Sequence, residues 1–287
     1  MAEPGLRVYW RADGRAPSPA GEPVGPVAET GRRGEADSWD PTQYRRFEAE
    51  RDQPFHDLLA MVELVPGGRV VDLGCGDGRL TALAHRSLGA ESTVGIDSSP
   101  AMLADAPAGE GLSFELDDIG LWSAPAFYDV ALSNAALHWV PDHPAVLARW
   151  RAGLRPGGQL AVQVPANFDH PSHAVVGEVT EGLGLTVEPD PVAVNVLRPE
   201  DYAAILDDLG AVEQHVRLQV FVHHLPSSAE VVEWVKGTTL TRVKRATDAE
   251  GYERFLTAYR ARLLEVIGDE APYTYPFKRI LFRARFR

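Results

Sequence analysis

VVDLGCGDGRL at residues 70–80, followed by VGIDSSPAM at residues 94–102, decides the fold. Apolar and β-branched residues run into a glycine turn, a helical pattern follows, and a second apolar strand ends in Asp97. Strand, glycine turn, helix and strand make half of a nucleotide-type α/β unit.

The alternation continues outward from this segment. Strands read at about 69–73, 93–97, 112–115, 128–133 and 158–164, with the turn LRPGG at 154–158 opening the fifth and helices between them. That order predicts a parallel sheet covered on both faces. After Pro165 the pattern lapses into a loop rich in Asn, His and Pro, then resumes with a helix at 199–209 and a long strand at about 212–222. Helices at about 227–236 and 248–267 form an insert of about 225–275, and KRILFRARF closes the chain as a strand over 278–286. A long strand, an inserted helical cap and a final strand predict an antiparallel pair at one edge of a seven-stranded, Rossmann-like sheet. Residues 1–37 interleave prolines and glycines without apolar periodicity, so they read as a disordered tail or an early start codon. The folded domain is expected over 38–287, beginning where Asp40 can cap a helix with Pro41 in its first turn.

Bulk properties narrow the function. The chain has 287 residues, 45% of them hydrophobic, which suffices for one sizeable core. A formal charge of −13 opposes binding to nucleic acid. The single cysteine, Cys75, excludes an internal disulfide and a cysteine-rich zinc site and suits a reducing cytoplasm. No apolar run is long enough to cross a membrane. The histidines are not at metal-ligand spacing with acids, so no metal is expected.

Glycines at 74, 76 and 78 lie two apart, unlike a dinucleotide fingerprint. Asp72 and Asp77 put negative charge where a pyrophosphate would sit, so a cofactor bearing an amino group and a sulfonium matches the loop better. In this reading Gly74 and Gly76 allow close approach, and Asp72 holds the loop or accepts from an ammonium. Asp97, with Ser98 beside it, accepts the ribose hydroxyls. Asp118 and the amide of Ile119 read an adenine edge, and Asn134 ends the fourth strand. Singly, Asp97 or Asp118 is more often a helix cap than a ligand contact; together they converge at the carboxyl ends of the strands, where open α/β sheets bind ligands. Cys75, between glycines, reads as a small buried filler.

These residues resemble the class I S-adenosylmethionine-dependent methyltransferases. WDPTQYRRFEAERDQPF, DLGCGDG, GIDSSPAM, SNAALHWVPDH, LRPGGQLAVQVPANF with PSH, EWVKGTTL and YPFKRILF together resemble the trans-aconitate methyltransferase family from Ser38 onward. Residues 181–195 follow the pattern poorly, and Asp77 stands where the family often has Pro. The resemblance implies S-adenosylmethionine as cofactor and a small-molecule carboxylate as partner. Close relatives acting on a hydroxyl, amine or carbon acceptor are the alternative, with a nicotinamide oxidoreductase or a non-catalytic binding module further off.

A carboxylate is already ionised at neutral pH and needs no general base. Candidates for the acceptor side are His138, as pocket lining or base, and Trp139, as a wall. Tyr44 reads as a lid or, with Phe47, as the core stripe of the first helix. His143, in PDHP, reads as structural. Arg51, Lys236 and one of Lys278 and Arg279 are candidates to meet substrate carboxylates. The last two alternate along a strand, so only one faces the site.

Overall fold

The computed structural model describes residues 48–287, with side chains from Asp52 onward. The tail at 1–37, the expected helix start at Asp40 and the candidate Tyr44 lie outside the described residues.

In chain order the elements are α1 (Glu48–Leu59), β1 (Arg69–Leu73), α2 (Arg79–Leu88), β2 (Ser92–Asp97), α3 (Pro100–Leu103), β3 (Leu112–Leu116) and β4 (Tyr128–Asn134). A 3-10 turn at Leu137–Trp139 leads into α4 (His143–Ala152), β5 (Leu154–Pro165), α5 (Pro171–Gly182), α6 (Pro191–Asn195), α7 (Pro199–Asp208) and β6 (Ala211–Leu225). Then come α8 (Glu230–Lys236), α9 (Thr241–Ala246), α10 (Ala249–Ile267) and β7 (Tyr273–Phe286). The seven strands lie in the order β3-β2-β1-β4-β5-β7-β6. Strands β1 to β5 pair in parallel and β7 runs antiparallel to β5, so the α/β sheet with its reversed edge is the architecture observed.

The chain divides into two compact units. One takes Ala49–Asn167, Pro191–His223 and Pro276–Arg287 and holds most of the sheet. Its core on one face is built from Phe55, Leu58, Val70, Val130, Leu132, Ala161 and Leu281, all essentially without exposure. These positions alternate along their strands, as the period of two requires. On the opposite face Tyr202 of α7 stacks on Phe282 at 4.7 Å, and Trp150 of α4 donates through Nε1 to the carbonyl of Ile119 at 2.9 Å.

Among the described residues, the second unit takes Phe168–Asp190 with His224–Tyr275. The loop expected after Pro165 is therefore corrected. His170 accepts from the Ser172 amide and Pro171 fills the first turn, so α5 starts there and buries Val175, Val176 and Val179 on one stripe. The hydroxyl of Tyr259 on α10 donates to the Ser172 carbonyl at 2.7 Å, which places α5 and α10 in one body. The turn expected at 154–158 is likewise drawn into β5, because Leu154 pairs with Tyr128 ahead of a register shift.

Candidate active site

The chain visits β2 and β3 on one side of β1, and β4 and β5 on the other. Such a reversal of strand order opens a crevice at the carboxyl ends of the two strands that flank it. The polar positions expected at the ends of β1 to β4 lie on the strands and loops around that crevice.

The loop after β1 is tied down by its backbone. The Gly74 and Cys75 amides donate to the Ile96 carbonyl at 2.8 and 2.9 Å. The Asp97 carboxylate holds the next turn: Oδ2 accepts from the Gly76 amide and Oδ1 from the Ser99 amide, both at 2.9 Å. Each oxygen has spent one acceptor site and keeps another. Gly74 has φ +86°, and a Cβ there would come within 2.1 Å of the Ala136 Cβ. Only glycine lets the loop touch the turn beyond β4.

Asp72 lies beneath this loop, 3% exposed. Its Oδ2 accepts from the Thr81 hydroxyl at 2.6 Å, so it fastens the loop to α2. Burial pushes its pKa up to about 6; the Thr81 bond opposes the shift and the Asp97 charge adds to it. Asp77 accepts from the Arg79 amide at 3.1 Å, an amide at the start of α2 that a phosphate would otherwise use. The donor set thus fits a nucleoside that carries positive charge rather than a pyrophosphate. Cys75 is buried, and burial with the nearby Asp72 and Asp97 raises its thiol pKa, which leaves it inert.

The remaining donor-side positions divide. Ile119 is buried and sits 3.6 Å from the Gly74 Cβ position, so β3, the glycine loop and the turn after β4 meet at Gly74. Asp118 is exposed and its Oδ1 accepts from the Gly120 amide at 2.8 Å, a turn cap that leaves Oδ2 outward. Ser98 is exposed, whereas its neighbour Ser99 makes the contact to Asp97 and caps α3. Asn134 stands across the crevice, its Oδ1 buried without a hydrogen-bond partner.

On the acceptor side, His138 is buried in the 3-10 turn, which the Asn195 side chain ties down through the His138 carbonyl at 2.9 Å. Trp139 is 57% exposed, its ring 4.7 Å from that of His138. His143 is a structural pin: Nδ1 meets the Tyr202 hydroxyl at 2.7 Å and Nε2 meets the Leu137 carbonyl at 3.0 Å. Burial lowers its pKa to about 4, so the ring is neutral and holds α4, α7 and the 3-10 turn together. In the second unit, Lys236 is engaged by Glu233 at 2.8 Å. Arg51 belongs to α1, but its side chain is outside the described residues.

Arg279 is only 8% exposed, a buried cation in an acidic chain. Its Nη1 donates to Oε1 of Gln163 at 3.3 Å, and its guanidinium lies 4.8 Å over the Phe277 ring. Gln163 was not anticipated from the sequence. The available signal was a lone amide inside the apolar run LAVQV of a central strand, a position that burial makes costly for a polar group without a purpose.

Residues 44–215 match a family described as a methyltransferase domain. The chain is 42% identical over 255 residues to the trans-aconitate 2-methyltransferase of Deinococcus radiodurans, covering 86% of this chain and 98% of that protein. It is 37% identical to the trans-aconitate 2-methyltransferase of Mycobacterium sp. strain KMS, over 86% of this chain and 99% of the relative. The YcgJ protein of Bacillus subtilis shares the fold, with TM-score 0.55 at 15% identity, over 82% of this chain and 98% of that one. With the family match over residues 44–215 and relatives 42% and 37% identical along nearly their whole length, the chain belongs to the trans-aconitate 2-methyltransferase family of methyltransferases.

Proposed function

We propose that the protein methylates a carboxylate of trans-aconitate with S-adenosylmethionine, giving a methyl ester and S-adenosylhomocysteine. The observation that carries this reading is the opposed charge of the crevice's two sides. Asp72 and Asp97 lie beneath and beside the glycine loop, and the buried Arg279 stands beyond β5. A cationic methyl donor and an anionic acceptor match those sides, and the trans-aconitate 2-methyltransferases that the chain resembles along nearly their whole length support the reading.

S-adenosylmethionine, when bound, supplies an electrophilic methyl group on a sulfonium. Asp97 would receive the ribose hydroxyls at its remaining acceptor sites, Gly74 and Gly76, whose amides are held by Ile96 and Asp97, would let the nucleoside approach the backbone closely, and Ile119 would lie against the base. A carboxylate oxygen forms the new C–O bond as the S–C bond breaks, and the electron pair passes to sulfur. No proton moves, so His138 lines the pocket and no general base is required. The protein's part is alignment and exclusion of water.

Incubation with S-adenosylmethionine and trans-aconitate, followed by mass spectrometry, is expected to show a methyl ester. Methylation of another acid, phenol or amine in place of trans-aconitate overturns the acceptor assignment.

A further inference from the structure

The geometry points to Gln163 as the residue that holds a second, non-reacting carboxylate of the acceptor; this rests on the polycarboxylate reading above. Strand register places it. Asp72 pairs with Leu132 across β1 and β4, Asn134 pairs with Gln163 across β4 and β5, and Pro165 pairs with Arg279 across β5 and β7. Side chains two apart share a face, so Gly74, Asn134, Gln163 and Arg279 follow one another on the face that carries Leu132, Ala161 and Leu281. Adjacent strands lie about 4.8 Å apart, which puts Gln163 about 10 Å from the glycine loop.

Polarity changes sign along this row. Asn134 presents Oδ1, a buried acceptor without a partner, beside the loop suited to a cation. Gln163 is fully buried, and its Nε2 is a donor without a partner. Its orientation is fixed, since Oε1 takes Nη1 of Arg279; turning the amide would set two donors against each other. A buried donor left unmet requires a physical explanation, and a bound anion that meets it is the one inferred from its place beside Arg279. An anion at Nε2 gains the field of Arg279 directly behind the amide. An acceptor with one carboxylate at the methyl group and another a few bonds away spans the distance from Asn134 to Gln163, whereas a monocarboxylate does not.

The test uses the full chain and compares wild type with Gln163→Leu, which keeps the volume and removes both polar atoms, and Gln163→Glu, which keeps Oε1 for Arg279 and replaces the donor with negative charge. With trans-aconitate, Q163L is expected to raise KM roughly 10- to 100-fold, the range for a lost hydrogen bond to a charged group. Q163E is expected to raise it further, and S-adenosylhomocysteine affinity by calorimetry should not change in either. Crotonate, a monocarboxylate, is expected to be a poor substrate whose turnover is indifferent to Q163L. Unchanged KM in folded Q163L overturns the assignment of Gln163 while leaving the function standing. Equal losses of S-adenosylhomocysteine and acceptor affinity also overturn it, by moving Gln163 to the donor side. Failure of the wild-type protein to methylate trans-aconitate overturns the acceptor reading and this assignment together. Because melting temperature is read for each variant, a purely structural role shows as lost stability with unaltered KM.

Discussion

The two sides of the crevice are built by different means. The donor side is made of backbone and short acids drawn from residues 72–119, where each hydrogen bond joins a strand end to the next loop. The acceptor side is made of long side chains from β4, β5 and β7, with Gln163 and Arg279 separated by 116 residues. The loop admits few alternatives at Gly74 and Gly78, where a Cβ would come within 2.1 Å of Ala136 and 2.4 Å of the Phe114 ring. A site of side chains can be retuned one residue at a time. In the function proposed, the first would keep a common cofactor and the second would choose the acceptor.

The most damaging way to break this contrast is at Gly74, where the two sides touch. Gly74→Val combines a positive φ with a Cβ 2.1 Å from Ala136, and neither can relax without parting β1 from β4. Loss of at least about 4 kcal/mol of stability is expected in urea unfolding, together with loss of S-adenosylhomocysteine binding. A variant that folds and binds normally would mean the loop and the turn after β4 are not in contact.

Asp72 and His143 provide a pH test beneath each side. The Asp72 pKa of about 6 lies above its unfolded value of 3.8, so its contribution is complete below pH 3.8 and is lost as pH rises through 6. The His143 value of about 4 lies below its unfolded 6.5, so its contribution is present above pH 6.5 and is lost as pH falls toward 4. The two slopes oppose each other over the same window. Removing one exposes the other: between pH 6.5 and 4, Asp72→Asn is expected to lose about 3 kcal/mol more stability than wild type does, the value of some two pKa units. Parallel unfolding curves for the two proteins would place an ionised Asp72 beneath the loop at every pH in that range.

Asp97→Ala tests the donor side by chemistry rather than by sterics. It removes the acceptor for Gly76 and Ser99 as well as the acceptor for a ribose. A drop of about 100-fold in S-adenosylhomocysteine affinity is expected, or about 2.7 kcal/mol. Unchanged calorimetry would put the donor elsewhere.

The same contrast explains what could be read from the sequence. Asp72, Gly74, Gly76, Asp97 and Ile119 lie at strand ends and in the turns that follow them, so a local reading places them at one end of the sheet. The turn after β2 is less legible: the amide of Ser99, which any residue there would supply, bonds Asp97, and only the folded turn shows it. Gln163 was hidden because its meaning depends on β5 pairing with β4 and with β7, which brings Asn134 and Arg279 beside it. Helix α5 was missed because His170 and Pro171, read as loop residues, serve as its cap and first turn.

The smallest effect expected is also the one that joins the two sides. Arg79, the first residue of α2 after the glycine loop, makes a two-pronged ion pair with Asp52 of α1, at 2.8 and 2.7 Å. Helix α1 packs through Phe55 and Leu58 onto the same sheet face that carries Asn134 and Gln163. The pair therefore fastens the donor loop to the helix lying over the acceptor row. Because Arg79 is 44% exposed and Asp52 18%, water and salt screen the charges, and a double-mutant cycle with Arg79→Gln and Asp52→Asn is expected to give a coupling of about 0.5–1 kcal/mol in urea unfolding, shrinking as salt is raised. Arg79 follows directly on the glycine loop, so the coupling is expected to rise on saturation with S-adenosylhomocysteine. A coupling that is the same with and without ligand would leave the pair as a surface contact that takes no part in ligand binding.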